Sequence, residues 1–155
     1  MPTPEMSEAE TRRVIEMLFF AYREFTSEPD EILEEYGFGR AHHRVLYFVG
    51  RTPGITVSDL LATLKITKQS LSRVLRQLLD EGFVEQYAGK RDRRQRLLYL
   101  TSKGERLEQA LYEAQRRQIW SARSENGKAD FEAFKKVLFQ MIHEDDRHQL
   151  EEKND

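Results

Sequence analysis

Residues 67–101 hold the pattern that leaves this chain the fewest choices of fold: a two-faced helix followed at once by a hairpin with a basic tip. In KQSLSRVLRQLLDEG, Leu71, Val74, Leu75, Leu78 and Leu79 recur at i, i+3, i+4, i+7 and i+8, which places them on one helical stripe. Gln69, Ser72, Arg73 and Arg76 repeat that spacing on the opposite side. One face can therefore rest on a core while the other offers an amide, a hydroxyl and two guanidiniums to a partner. Thr67 is placed to cap the helix and Gly82 to end it. The runs FVEQY and LLYL then flank AGKRDRRQR, the pattern of a β-hairpin with a charged tip. A helix followed by a basic hairpin is the signature of a winged helix.

The elements before this unit complete it. Thr56-Val57-Ser58-Asp59 has a capping-box form with Asp in place of Glu, and it opens VSDLLATL, whose Val57, Leu60, Leu61 and Leu64 face the core. Only Lys65-Ile66-Thr67 separates this helix from the next, the spacing of a helix-turn-helix. Upstream, RAHHRVLYFVG predicts a helix with Ala41, Val45, Phe48 and Val49 inward, ended by the turn Thr52-Pro53-Gly54.

Long helices are expected on both flanks. Residues 1–6 read as a loose lead, and Ser7-Glu8-Ala9-Glu10 has the form of a capping box. Val14, Ile15, Leu18, Phe19, Tyr22 and Phe25 keep helical spacing to about Thr26, and Met17 and Phe20 add a second apolar side. A helix apolar on two sides needs two packing partners, which points to a second subunit. Glu28-Pro29-Asp30 predicts a new segment, with EILEEYGFG a short helix stopped near Gly37. After the hairpin, Thr101 caps a helix expected from Ser102 to Ala122, with Gly104 tolerated in its first turn. A polar break at 124–128 precedes a last helix from Ala129 to Gln149, with Phe131, Phe134, Leu138, Met141 and Ile142 on one side. The expected fold class is mostly α with a small β-hairpin wing (α+β). It divides into an N-terminal dimerisation arm at 1–37, a winged helix-turn-helix at 38–101 and C-terminal dimerisation helices at 102–155.

Charge supports the same division. The net charge of −2 conceals ten basic residues against four acidic ones between Lys65 and Gly104, and fifteen against twenty-three elsewhere. A basic middle between acidic flanks concentrates positive potential in one place. Lys and Arg neutralise phosphates, while Gln with adenine and Arg with guanine are bidentate pairs that distinguish bases in the major groove. Gln69, Ser72, Arg73 and Arg76 could therefore line a groove, and Thr67, Lys68 and Ser70 at the helix N-terminus suit phosphates. Lys90, Arg91, Arg93 and Arg94 surround Asp92, and a basic tip of this kind can enter a narrow minor groove. Asp92 is assigned a salt bridge to Arg94, the alternative being a plain turn-former. An ordinary solvated face is the alternative for the helix.

Other chemistries find little footing. The absence of Cys excludes disulfides, thiol nucleophiles and thiolate metal sites, and is compatible with a cytoplasmic location. No basic region leads into a hydrophobic one at the N-terminus, so no secretory signal is expected. No apolar run approaches the ~20 residues of a membrane span, so no membrane partner is expected. His42 and His43 lie about 100° apart on a helix and His143 and His148 about 140° apart, so neither pair shares a face and no metal is expected. Gly37-Phe38-Gly39 lacks the third glycine of a nucleotide loop, and no nucleophile-and-base arrangement stands out. Neither a cofactor nor a catalytic residue is expected.

Taken together, RAHHRVL, VSDLLATLKITKQSLSRVLRQLLDEGFVE, DRR and LYLTSKG resemble the MarR family of winged-helix transcription regulators, named for multiple antibiotic resistance. The resemblance covers nearly the whole chain and is densest over 44–104. EYGFGRAHHRVLYFV with KITKQSLSRVL further resembles the PetP-like branch of that family. The family resemblance implies a homodimer joined by its terminal helices and a repressor that binds double-stranded DNA and is often released by a small ligand. A twofold dimer presents two recognition helices, so a near-palindromic operator is expected. His43 departs from the pattern, standing where many members carry an aromatic such as Trp. Geometry and resemblance together place the effector where the arms meet the DNA-binding lobe, among Tyr22, Phe25, His43, Arg44 and Tyr47. Aromatic walls suit a small aromatic or apolar acid whose carboxylate meets His43 or Arg44, the alternative being that these aromatics simply join arm to lobe. A winged-helix protein-interaction module without specific DNA binding is the competing functional reading.

Overall fold

The computed structural model describes residues 5–151. Among these, seven helices surround a three-stranded antiparallel sheet of order β1-β3-β2. Of the loose lead expected at 1–6, residues 1–4 lie outside the described residues, and 5–7 are without regular structure.

Helix α1 runs from Glu8 to Glu34, its first turn capped by the Ser7 hydroxyl, which accepts from the Glu10 backbone N–H at 3.1 Å. The expected break near Thr26 does not occur, and the helix passes straight through Pro29. Proline removes one backbone donor and crowds the preceding turn. Here that cost is offset by packing, because Thr26, Pro29 and Leu33 are all buried and α1 lies along α5. The Thr26 hydroxyl donates to the carbonyl oxygens of Tyr22 and Arg23 at 3.0 and 3.2 Å, and Arg117 of α5 pairs with Glu28.

Helix α2 (Arg40–Arg51) is the centre of the molecule, in contact with α1, α3, α4, α5 and β3. Being enclosed on more than one side, it buries Leu46 as fully as Val45 and Val49, whereas Ala41 and Phe48 of the expected inward face are only partly covered. A two-residue strand β1 (Ile55–Thr56) follows the turn and pairs with β3 as Ile55↔Leu98 and Thr56↔Leu97. Helix α3 (Val57–Leu64) begins at Thr56, whose hydroxyl accepts from the Asp59 N–H at 3.0 Å, and ends on Lys65 in the left-handed region at φ 51°.

Helix α4 spans Lys68–Asp80. Gly82 stops it at φ +80°, a conformation that costs a residue with a Cβ. Strands β2 (Val84–Ala88) and β3 (Arg96–Leu100) form the hairpin, in register from Val84↔Leu100 to Ala88↔Arg96. Helix α5 (Ser102–Asn126) starts at the Thr101 cap and outlasts its expected end at Ala122 by one turn, to stop at Gly127.

The single last helix expected from Ala129 to Gln149 is two, α6 (Lys128–Met141) and α7 (Glu144–Glu151). Ile142 is extended between them, and the Arg147 guanidinium donates to the carbonyl oxygens of Ile142 and Gln140 at 2.9 and 3.1 Å, satisfying groups freed at the end of α6. The bend brings α7 onto α3, where Asp146 pairs with Lys65 at 2.9 Å.

The core gathers Val45, Leu46, Leu71, Leu78, Leu98 and Leu111 with their neighbours around α2. No residue of α6 is buried, and the first half of α1 buries none either. Their apolar side chains stand open: Phe19 and Val137 are each 62% exposed.

Candidate nucleic-acid interface

Helix α4 is held by Leu71, Val74, Leu75 and Leu78, all buried, and Leu79 is partly covered. That anchoring turns Gln69, Ser72, Arg73 and Arg76 outward together, each of them exposed. At the N-terminus the Thr67 hydroxyl accepts from the Ser70 N–H at 3.1 Å and donates to the Ser70 hydroxyl at 2.9 Å. Lys68 is exposed beside this cap, next to backbone donors not used inside the helix.

The hairpin tip is ordered by its own hydrogen bonds. Gly89 N–H donates to the Gln95 carbonyl at 3.0 Å, and Gln95 N–H to the Asp92 carbonyl at 3.1 Å. Asp92 does both things considered for it: one carboxylate oxygen accepts from the Arg94 backbone N–H at 3.0 Å and from the Arg94 guanidinium at 3.3 Å. The first closes the turn and the second aims a cation. The Arg94 side chain remains 92% exposed, so the pair orients Arg94 without hiding it.

Not all ten basic residues of the stretch are free for a partner. Lys65 is taken by Asp146, and Lys103 donates to the Glu81 carbonyl at 2.9 Å while lying over the Phe83 ring. Among the described residues, Lys68, Arg73, Arg76, Lys90, Arg91 and Arg93 make no ion pair. These six belong to two surfaces of one lobe, the outer face of α4 and the wing tip. Arg96, not singled out in the sequence, donates to the Arg93 carbonyl at 3.3 Å and is exposed at the foot of the tip. Its position just past DRRQ, continuing the basic run, is the signal that marks it.

A second feature lies between α1, α2 and α5: an open cavity of about 560 Å³. Tyr22, Phe25, His43, Arg44 and Tyr47 all line it. The Arg44 guanidinium donates to the Tyr22 hydroxyl at 3.3 Å and has no carboxylate partner among the described residues, whereas Arg40 is bound to Asp30 and Arg116 to Glu113. Burial holds the His43 imidazole below its ordinary pKa, with Asp30 working against the shift and Arg44 adding to it, so the neutral ring is favoured. Sequence reasoning missed the α5 wall, where Tyr112, Arg116 and Trp120 also line the cavity. They recur at i, i+4 and i+8, a stripe legible in principle but absorbed by the assignment of that helix to dimerisation.

Among the described residues, no cluster of His, Asp and Glu could hold a metal, and no helix is long and apolar enough to cross a membrane.

The chain is similar to known proteins over most of its length. The MarR family pattern matches residues 36–95. The HTH-type transcriptional regulator PetP of Rhodobacter capsulatus is 47% identical over 137 residues, 88% of this chain and 82% of that protein. Among solved structures, Streptococcus pneumoniae FabT in complex with DNA superposes with a TM-score of 0.74 at 18% identity, over 84% of this chain and 94% of that one. The S. aureus MepR–DNA complex gives 0.64 at 22% identity, over 88% and 97%. These two likenesses concern the fold.

Proposed function

The chain belongs to the MarR family of DNA-binding transcription regulators, in its PetP-like branch, and on that premise we propose how its parts divide the work. It acts as a homodimeric repressor. Residues 1–37 and 102–155 are the dimerisation arms and 38–101 the DNA-binding lobe. Gln69, Ser72, Arg73 and Arg76 read base edges in the major groove, while Thr67, Lys68 and Ser70 hold phosphates. Lys90, Arg91, Arg93 and Arg94 enter the adjacent minor groove, with Asp92 bracing Arg94. The observation that carries this reading is the outward face of α4, two arginines, an amide and a hydroxyl exposed together above the buried Leu71, Val74, Leu75 and Leu78.

Dimerisation follows from the uncovered apolar faces of α1 and α6, which a second copy covers in a twofold arrangement. Two copies of α4 then require a near-palindromic operator with half-sites about 10 bp apart. The working place in this reading is the cytoplasm, in accord with a chain that carries no Cys.

The cavity between α1, α2 and α5 takes a small aromatic or apolar acid. Tyr22, Phe25 and Tyr47 supply apolar walls, and Arg44 supplies a cation without a carboxylate partner among the described residues. The cavity adjoins both an arm and the lobe, so an occupant that fits one arrangement better shifts DNA affinity by that difference.

The test selects an operator from a randomised duplex pool and measures binding to it and to a scrambled duplex. A symmetric selected site bound more tightly than the scramble is expected. Equal binding to both sinks base reading and favours a protein-interaction module. Aromatic carboxylates are then titrated against the operator complex of wild type, His43→Ala and Tyr47→Ala. A carboxylate that releases DNA equally from all three places the effector site elsewhere.

A further inference from the structure

The apolar stripe that anchors α4 decides which face points outward, but burial is non-directional, so the last few degrees of rotation about the helix axis are left to directional contacts. A directional contact does exist on the flank of that stripe. Gly39 N–H, ahead of α2, donates to His42 Nδ1 at 3.0 Å, which leaves the ring proton on Nε2. Nε2–H then donates to Gln77 Oε1 of α4 at 2.8 Å. The imidazole is itself held flat on the Phe38 ring, with centroids 4.6 Å apart and planes within 11°. Phe38 is buried and meets Phe83, at the root of the wing, edge to face at 5.2 Å. His42 is thus fixed by its own helix start and by a core aromatic, and it presents one donor to α4. Gln77 follows Arg76 directly and lies one turn beyond Arg73, at the border between the buried stripe and the outward face.

We infer that His42 is a positioning residue for DNA reading: its hydrogen bond to Gln77 sets the rotation of α4 about its own axis, and with it the reach of Arg73 and Arg76. This rests on α4 being the DNA-reading helix. A rotation of about 10° moves a group about 6 Å from the axis by about 1 Å. Bidentate pairing to a guanine edge does not survive that displacement, because hydrogen bonds weaken steeply beyond about 3.2 Å. Phosphate neutralisation by Lys68 and the wing tolerates it, being set by charge more than by geometry. The signature of the device is therefore a loss of discrimination with little loss of general affinity.

The experiment uses full-length protein and a duplex selected by the wild type from a randomised pool, scored as the ratio of its affinity to that for a scrambled duplex. Gln77→Met keeps the side-chain length without the acceptor, and His42→Phe keeps the ring against Phe38 without either nitrogen. Each is expected to lower the ratio about three- to tenfold, the size of one net hydrogen bond, and the double variant no further than a single one. Affinity for the scramble stays within about twofold in these two variants. Gln77→Glu keeps an acceptor and so keeps the ratio, while its charge weakens both duplexes alike. In the wild type, imidazole nitrogen chemical shifts report the proton on Nε2 of His42, and Gln77→Met removes its hydrogen-bond signature. Additive losses in the double variant overturn the inference, as does a ratio unmoved by Gln77→Met and His42→Phe where Arg73→Ala collapses it. If Arg73→Ala also leaves the ratio intact, α4 is not the reading helix and the inference falls with that assignment.

Discussion

Replacing Gly104 by Ala should be among the most damaging single-methyl changes in this chain, although it exchanges a poor helix former for the best one. Gly104 sits buried in the first turn of α5, directly beneath the backbone at the root of the wing. A Cβ there would come within 2.0 Å of the Phe83 carbonyl oxygen, 3.0 Å of its carbon and 3.4 Å of Leu100 Cβ. The first contact is backbone, so relief requires about 1 Å of movement between α5 and the α4–β2 junction, an overpacking cost of about 1–3 kcal/mol. The same movement strains the Thr101 N–H bond to the Phe83 carbonyl, 3.1 Å here, at about 1 kcal/mol more. Against this stands about 1 kcal/mol of gained helix propensity. The net expectation is a loss of about 1–3 kcal/mol, or roughly 3–10 °C in a thermal melt of a chain this long. Gly39→Ser is the control: a Cβ at Gly39 meets nothing within 4 Å, and the change should alter stability by only a few tenths of a kcal/mol. The assay is paired thermal and urea unfolding of the two variants beside wild type. A Gly104→Ala protein that melts at or above the wild-type temperature would refute the close-approach argument.

Three further expectations concern binding, assembly and pH. Arg73→Ala and Arg76→Ala should each reduce preference for the selected operator by about 1–3 kcal/mol, whereas Lys68→Ala should weaken all duplexes alike and flatten the salt slope by about one; equal losses on operator and random DNA for the arginine variants would rule out base reading. Phe19→Glu and Phe134→Glu place a charge on the uncovered faces of α1 and α6 and should yield monomers in sedimentation at micromolar concentration; dimers that persist in both would move the interface elsewhere. His43 has its pKa depressed in the folded state, so the unfolded chain takes up the proton first, and stability present above the ordinary histidine value is lost as pH falls through that value toward the folded one. His43→Phe should therefore lose less stability than wild type between about pH 7 and about pH 5 in urea melts, and parallel curves would contradict the assigned burial effect.

What could be read from the amino-acid order alone was whatever depends on neighbours a few residues apart. Thr67 caps α4 through Ser70, and Leu71 to Leu78 form its buried stripe. Gly82 ends it, and Asp92 orders the wing through Arg94. Each is settled within one or two turns, where side-chain spacing and backbone preference act directly. The proposed DNA-contacting residues belong to this class, which is why they were nameable from spacing and charge. Residues brought from distant elements were not legible. Pro29 continues a helix because α5 packs along it, and β1 exists because β3 returns beside it some forty residues later. The break at Ile142 is accompanied by the Asp146 contact to Lys65. Spacing shows Gly104 only as a glycine in a first turn, because the Phe83 carbonyl above it comes from another element, and nothing local ties His42 to Gln77. The cavity divides the same way: its α1 and α2 residues were expected together, while the α5 wall of Tyr112, Arg116 and Trp120 needed the packed chain. Local spacing determines which face a side chain takes, but which element lies against that face depends on burial and hydrogen bonds that exist only once the chain has closed on itself.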